Sequence, residues 1–396
     1  MDRRRALAGL AGLAWGSSQA QPAAPSPSER AAPVLIGLDG EFGLANSTSA
    51  QAVELGARIA LDEINRAGGV LDGRRLDVVT RDHRSIAARG IRNIREFAAM
   101  PELVAVLGGR FSPVVIEQLP LLREAQLPFM AVWSSADAIV DNGSKPNYVF
   151  RVSLRDSLAM PFMLETAAKR GLSRVGLLLT NTAWGRSNLA AADRYVARVA
   201  SPRITDVASY NWQEPSLLDR YLKLIDGGAS AVVLVANDDE AAVLVREVVT
   251  LPRSKRVPLI SHWGVTGGRF AESAGSALHE VDFSVVQTFS FFRASAEPLA
   301  RFMRAAEAFN IRKVDDIVSP VGVAHAYDAV HLLALAIQKA RSTSRMAIRE
   351  ALEQLPPHQG LVRRYAPAFT PERHEAFDAQ QLLIARYRRD GVLVPA

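Results

Sequence analysis

The 396-residue sequence contains no cysteine. That excludes disulfides, thiolate zinc sites and a cysteine nucleophile together. It also lacks a Gly-x-Ser-x-Gly elbow and a Gly-x4-Gly-Lys-Ser/Thr phosphate loop, which removes the commonest hydrolase and nucleotide-binding signatures. Gly37, Gly40 and Gly43 are spaced by threes and do not make a dinucleotide fingerprint. The seven histidines show no close metal-ligand spacing. His325 and His331 lie on poorly matched faces of one predicted helix, and His358 and His374 flank a proline-rich loop, so each reads as structural. No metal, no cofactor and no catalytic residue are expected. Past the N-terminus there is no long uncharged apolar stretch, so no membrane span is expected. The formal charge is +6, but the densest basic clusters, Arg363-Arg364 and Arg386-Tyr387-Arg388-Arg389, are short and mixed with acids. Nucleic-acid binding wants a longer stripe with interleaved aromatics, so these residues read as solvated surface.

What is present suits a globular chain of two domains, with 48% hydrophobic and 22% charged residues. Arg3, Arg4 and Arg5 precede an apolar run, Ala6 to Trp15, and a small-residue exit, Ser18-Gln19-Ala20. This is the layout of a secretory signal peptide over residues 1–20, and it predicts export to the periplasm. Residues 21–32 read as a flexible leader. No cysteine follows the signal, so no lipid anchor is expected.

The remaining chain alternates strand and helix. Apolar strand-like runs occur at Val34–Asp39, Leu76–Thr80, Val104–Leu107, Phe129–Trp133, Val175–Thr180, Ala231–Ala236, Pro258–Ser261 and Phe283–Thr288. They are near-continuous Val/Leu/Ile stretches, as strands covered on both faces require. Amphipathic helices are predicted at Ala50–Ala67, Ile86–Ala99, Val114–Ala125, Leu158–Arg170, Glu240–Thr250 and Ala324–Ala340. The pattern breaks near 137–157, after Phe289 and over Pro356–Phe377. Three breaks suit an α/β fold of two doubly wound parallel-sheet lobes joined by a three-strand hinge.

Three of the five tryptophans fall just past predicted buried strands: Trp133, Trp184 and Trp263. Open parallel sheets bind ligands outside the carboxyl ends of their strands, so an aromatic ring on such a loop points to a small-molecule cleft.

Several stretches together resemble the type I periplasmic binding proteins of the branched-chain amino-acid (Leu/Ile/Val) binding family, which serve ABC importers. These are Asp62-Glu63-Ile64-Asn65-Arg66-Ala67-Gly68-Gly69-Val70 followed by Gly73-Arg74-Arg75-Leu76, Asn147-Tyr148-Val149-Phe150-Arg151 with Asp156, Ala183-Trp184-Gly185-Arg186, and Ala326-Tyr327-Asp328-Ala329-Val330. The resemblance implies one lobe from 33–151 and 288–378 and a second from 152–287 and 379–396. It implies hinge closure on a ligand and delivery by a monomer to a permease and ATPase complex. A ligand-sensing subunit for a membrane receptor or kinase is the alternative that this fold leaves open.

The same resemblance assigns candidate ligand contacts. Ser112 matches a serine that touches the ligand's α-carboxylate, although an N-cap is its simpler role. The turn Trp133-Ser134-Ser135-Ala136 matches groups holding the same carboxylate, with Ala136 in place of a threonine and Trp133 in place of a proline; Trp133 is read as lining the cleft, with a hinge wedge as the alternative. Glu41, Phe42 and Ser49 belong to a loop that lies over the ligand. Trp184 matches a stacking aromatic. Asn237 takes the place of a tyrosine, and Asp238 follows it, where helix capping is an equal explanation. At Trp263 amino-acid binders carry a glutamate that pairs with the ligand's ammonium. An unpaired buried ammonium is costly, so α-amino-acid recognition would need Asp238 or Glu41 to replace that glutamate. The set suits an aromatic or apolar carboxylate, and next a cationic amine over rings.

Overall fold

A computed structural model describes residues 32–396; the expected signal peptide and the leader up to residue 31 lie outside the described residues. The first sheet is built from β1 (Val34–Gly40), β2 (Leu76–Asp82), β3 (Leu103–Gly108), β4 (Phe129–Ala131) and β5 (Val149–Arg151), in the order β2-β1-β3-β4-β5, all parallel. Every residue of β3 is buried, which is why its sequence is an unbroken apolar run. Helices α1 (Ser49–Arg66), α2 (Ala87–Ala98) and α3 (Ser112–Glu124) connect these strands.

The chain then crosses to a second sheet. There α4 (Asp156–Lys169), β6 (Arg174–Thr180), α5 (Ala183–Val196), β7 (Arg203–Tyr210), α6 (Leu218–Asp226), β8 (Ala231–Val235), α7 (Asp238–Val248), β9 (Leu259–Ser261), α8 (Phe270–Ala274) and β10 (Phe283–Gln287) follow one another. It returns to the first sheet with α9 (Ala296–Ala306), α10 (Pro320–Ala340) and α11 (Arg345–Leu352), which pack against α1 and β3. A small hairpin, β11 (His358–Gln359) with β12 (Arg364–Tyr365), precedes the third crossing, and β13 (Leu383–Tyr387) and β14 (Leu393–Pro395) end the chain. The second sheet has the order β14-β13-β10-β9-β8-β6-β7. It is mixed, because β13 and β14 join it antiparallel. The sequence reading missed both, and also β7, whose apolar residues are interrupted by Arg203, Thr205, Asp206 and Ser209 as a strand at the sheet edge allows.

One helix among the described residues, α10, is long and apolar enough to cross a membrane by composition, and 83% of its most apolar window is buried in the fold. It is the core helix that a face apolar all round requires. It begins at Pro320, four residues before the predicted start, because Pro320 is preset for the first helical turn. Gly56 lets α1 approach it: a methyl there would overlap the Val323 carbonyl.

Candidate functional site

The carboxyl ends of strands from both sheets face each other across one seam. From the first sheet come the loops after β1, β3 and β4; from the second, those after β6, β8 and β9. The seam is closed by direct bonds. The Thr48 N–H donates to Gly267 O (2.9 Å), the Arg269 N–H to Asn46 O (3.1 Å), and Ser319 Oγ to Thr266 O (2.7 Å). Ser47 and Gly268 form an isolated β-bridge.

On the first-lobe side Ser112 opens α3, and its Oγ accepts from the Ser135 and Ala136 N–H groups, both at 3.2 Å. The next N–H, of Asp137, crosses the seam to Ser187 Oγ on α5 at 3.0 Å. Successive backbone N–H groups beside a helix N-terminus make a cradle for an anion. Three of the four candidates in this group, Ser112, Ser135 and Ala136, therefore meet directly, and Ser134 adjoins them.

The three tryptophan candidates are brought into one wall. Trp133 and Trp263, each 1% exposed, lie with ring centroids 6.0 Å apart across the two lobes. Trp133 packs on Gly322 of α10, and Trp263 lies 5.5 Å from His325 of the same helix. Trp184 is fixed differently. Its Nε1 donates to Asp156 Oδ1 (3.2 Å), its ring stands edge-on to His262 at 5.0 Å, and it closes over Gly264 beside Asn237. Asp156 Oδ1 also meets His262 Nε2 at 3.1 Å, while His262 Nδ1 accepts the Trp263 N–H. One buried carboxylate thus orients two tryptophan-bearing loops.

The third cluster is ionic. Arg110, in the β3–α3 loop, reaches Asp238 Oδ1 at 2.6 Å and Gly264 O at 3.1 Å on the other lobe, and its Nε lies 3.9 Å from Glu41 Oε1. Glu41 also takes the hydroxyls of Ser47 and Ser49. Burial disfavours the charge of Arg110, yet Asp238 and Glu41 hold its pKa above the ordinary value. Burial keeps the Asp238 carboxyl raised against the pull of that guanidinium. Phe42 is half-buried and lies against Gly40.

Sequence reasoning missed Arg110, Arg151, Asp156 and His262. The only signal for Arg110 was a long cation between Gly109 and Phe111 at a strand end. Four buried polar atoms of the seam, Glu41 Oε2, Arg110 Nε, Trp133 Nε1 and Ser134 Oγ, have no hydrogen-bond partner among the described residues. Buried polar groups normally are paired, so these atoms are hydrogen-bonding capacity that the fold leaves unused at the seam.

Beneath Glu41, at the end of β1, burial pushes the Asp39 carboxyl up to about 6, against the opposing effects of His83 and the amides of Asn93 and Gln118. The folded state then holds the proton more tightly than the unfolded chain. Its contribution is full below about 3.8 and is lost as pH rises through about 6. Chemical denaturation at pH 5 and pH 7.5 should show wild type losing about 1 kcal/mol more than Asp39→Asn over that interval. An equal change in the two proteins would contradict this assignment.

A family model described as periplasmic binding protein matches residues 33–391. Among curated proteins none matches. Among solved structures, a type 1 periplasmic binding protein from Bordetella pertussis Tohama I is similar with a TM-score of 0.82 at 21% identity, covering 92% of this chain and 100% of its own. The isoleucine complex of a branched-chain amino acid transporter substrate-binding protein from Streptococcus pneumoniae gives 0.74 at 20%, covering 92% and 100%. An ABC transporter solute-binding protein from R. palustris in complex with 4-hydroxybenzoate gives 0.76 at 15%, covering 92% and 95%. At these identities the likeness is one of fold.

Proposed function

Because the chain belongs to the periplasmic binding protein family, we propose that it is an extracytoplasmic solute-binding protein that closes on an aromatic or apolar carboxylate and delivers it to an ABC importer. The ligand's carboxylate docks at the hydroxyl of Ser112, whose Oγ takes the Ser135 and Ala136 N–H groups. Its apolar body lies against Trp184, Trp133 and Trp263.

The observation that carries this reading is the state of the acidic groups. Trp263 stands where amino-acid binders carry the glutamate for the ammonium. Of the two carboxylates able to replace it, Asp238 is held by Arg110 at 2.6 Å, and Oε1 of Glu41 takes the Ser47 and Ser49 hydroxyls. Drawing Asp238 to a ligand ammonium would take from Arg110 its 2.6 Å partner and strand a buried charge. Similar folds hold both ligand kinds, isoleucine in one structure and 4-hydroxybenzoate in another, so the choice falls to these side chains.

A thermal-shift screen with aromatic acids, short-chain acids, quaternary amines and leucine tests the reading. A ligand at 100 times its Kd stabilises by about 2.7 kcal/mol. Aromatic or apolar carboxylates should give the largest shifts, and a leucine shift as large as theirs would overturn the reading.

A further inference from the structure

Arg151 ends β5 at the first crossing and is fully buried. Its guanidinium does not reach the cleft. It grips the reverse side of the Ser112 cradle: Nη1 donates to Ser135 O (2.6 Å) and Leu154 O (3.3 Å), and Nη2 to Ala136 O (2.8 Å). In a trans peptide the carbonyl and the next N–H point in opposite directions. Holding the Ser135 carbonyl back therefore aims the Ala136 N–H at Ser112 Oγ, and holding the Ala136 carbonyl aims the Asp137 N–H at Ser187 Oγ. The Asp156 N–H completes the grip on Ser135 O at 2.9 Å. A cation bonded to those carbonyls also polarises the peptides, strengthening each N–H as a donor.

Behind the guanidinium stands Glu375 on the third crossing, 3.3 Å from Arg151 Nε and itself nearly fully buried. The backbones of the two crossings are paired: Arg151 N–H donates to His374 O (2.8 Å), and Ala376 N–H to Arg151 O (2.9 Å). The anion cradle is thus fastened to two of the three hinge segments through one side chain.

We propose that Arg151 is a positioning residue for ligand specificity: it orients and polarises the cradle peptides so that the site prefers a carboxylate over its uncharged amide, and Glu375 tempers that preference. This inference rests on the carboxylate reading given above.

Calorimetric titrations with 4-hydroxybenzoate and 4-hydroxybenzamide test it, as the ratio of the two affinities. Arg151→Lys keeps a cation but cannot hold both carbonyls in a fork, and it should lower the acid-to-amide ratio about tenfold. Glu375→Gln removes the opposing charge and should raise the ratio about threefold. Thermal melts check that each variant folds, and should Arg151→Lys fail to fold, the Glu375→Gln ratio decides. A merely structural role would weaken acid and amide by the same factor, and an unchanged ratio in the folded variants overturns the inference. If the wild type binds neither 4-hydroxybenzoate nor any other carboxylate of the screen, the carboxylate reading itself fails and this inference with it.

Discussion

Trp184→Ala is expected to weaken binding of an aromatic carboxylate such as 4-hydroxybenzoate by roughly 30- to 1000-fold, the range for truncating an aromatic anchor that contributes about 2–4 kcal/mol. The indole is 6% exposed at the first turn of α5, where a strand end of the second sheet meets the seam. Its Nε1 is tied to Asp156, so its ring plane is set before any ligand arrives. Preorganised aromatic area costs little entropy to use. Alanine removes the stacking surface and also leaves Asp156 Oδ1 with His262 alone. Trp184→Phe keeps most of the ring and should retain binding within about fivefold, since only part of the stacking area goes. Calorimetry on both variants checks this. An alanine variant within threefold of wild type would remove Trp184 from the site.

Arg110→Met should act on closure. In the closed form Arg110 is the cation between Asp238 and Glu41, which come from different lobes. Removing one partner of a buried ion pair costs about 3–5 kcal/mol because the other charge is left unpaired. A two-lobed protein can relieve that cost by opening, which returns Asp238 to water without unfolding either lobe. The loss should therefore appear mainly as a shift toward the open form and a fall in ligand affinity of about a hundredfold or more. Small-angle scattering of the unliganded variant should give a larger radius of gyration than wild type. Asp238→Asn placed on Arg110→Met should restore part of the affinity, because the stranded charge is gone. A variant that scatters and binds like wild type would contradict the role given to this pair.

The parallel strands were legible because burial on both faces forces continuous apolar runs, such as Leu-Val-Ala-Val-Leu at 103–107 and Ala-Val-Val-Leu-Val at 231–235. With the strand ends known, the tryptophans beyond them could be placed at the seam. Strand β7 carries Arg203, Thr205 and Asp206 among its apolar residues, and that mixture hid it. The ionic part of the site was not legible for a different reason. Arg110 and Asp238 are 128 positions apart, and nothing local to either says that it will be buried. Arg151 and Glu375 likewise meet only because two crossing segments run side by side. Such pairs arise from the docking of lobes and hinge strands, which periodicity does not encode. Asp156 was noted only as part of a crossover motif; its bonds to Trp184 and His262 depend on three loops converging.

The proposed reading is that the cleft takes a carboxylate on an apolar or aromatic body, with Asp238 held by Arg110 and not by a ligand ammonium. Titrating one preparation of the protein calorimetrically with 4-hydroxybenzoate, benzoate and leucine tests it most directly. The account predicts that at least one of the two aromatic acids binds at least tenfold more tightly than leucine. Leucine binding as tight as the tighter of the two acids would contradict it.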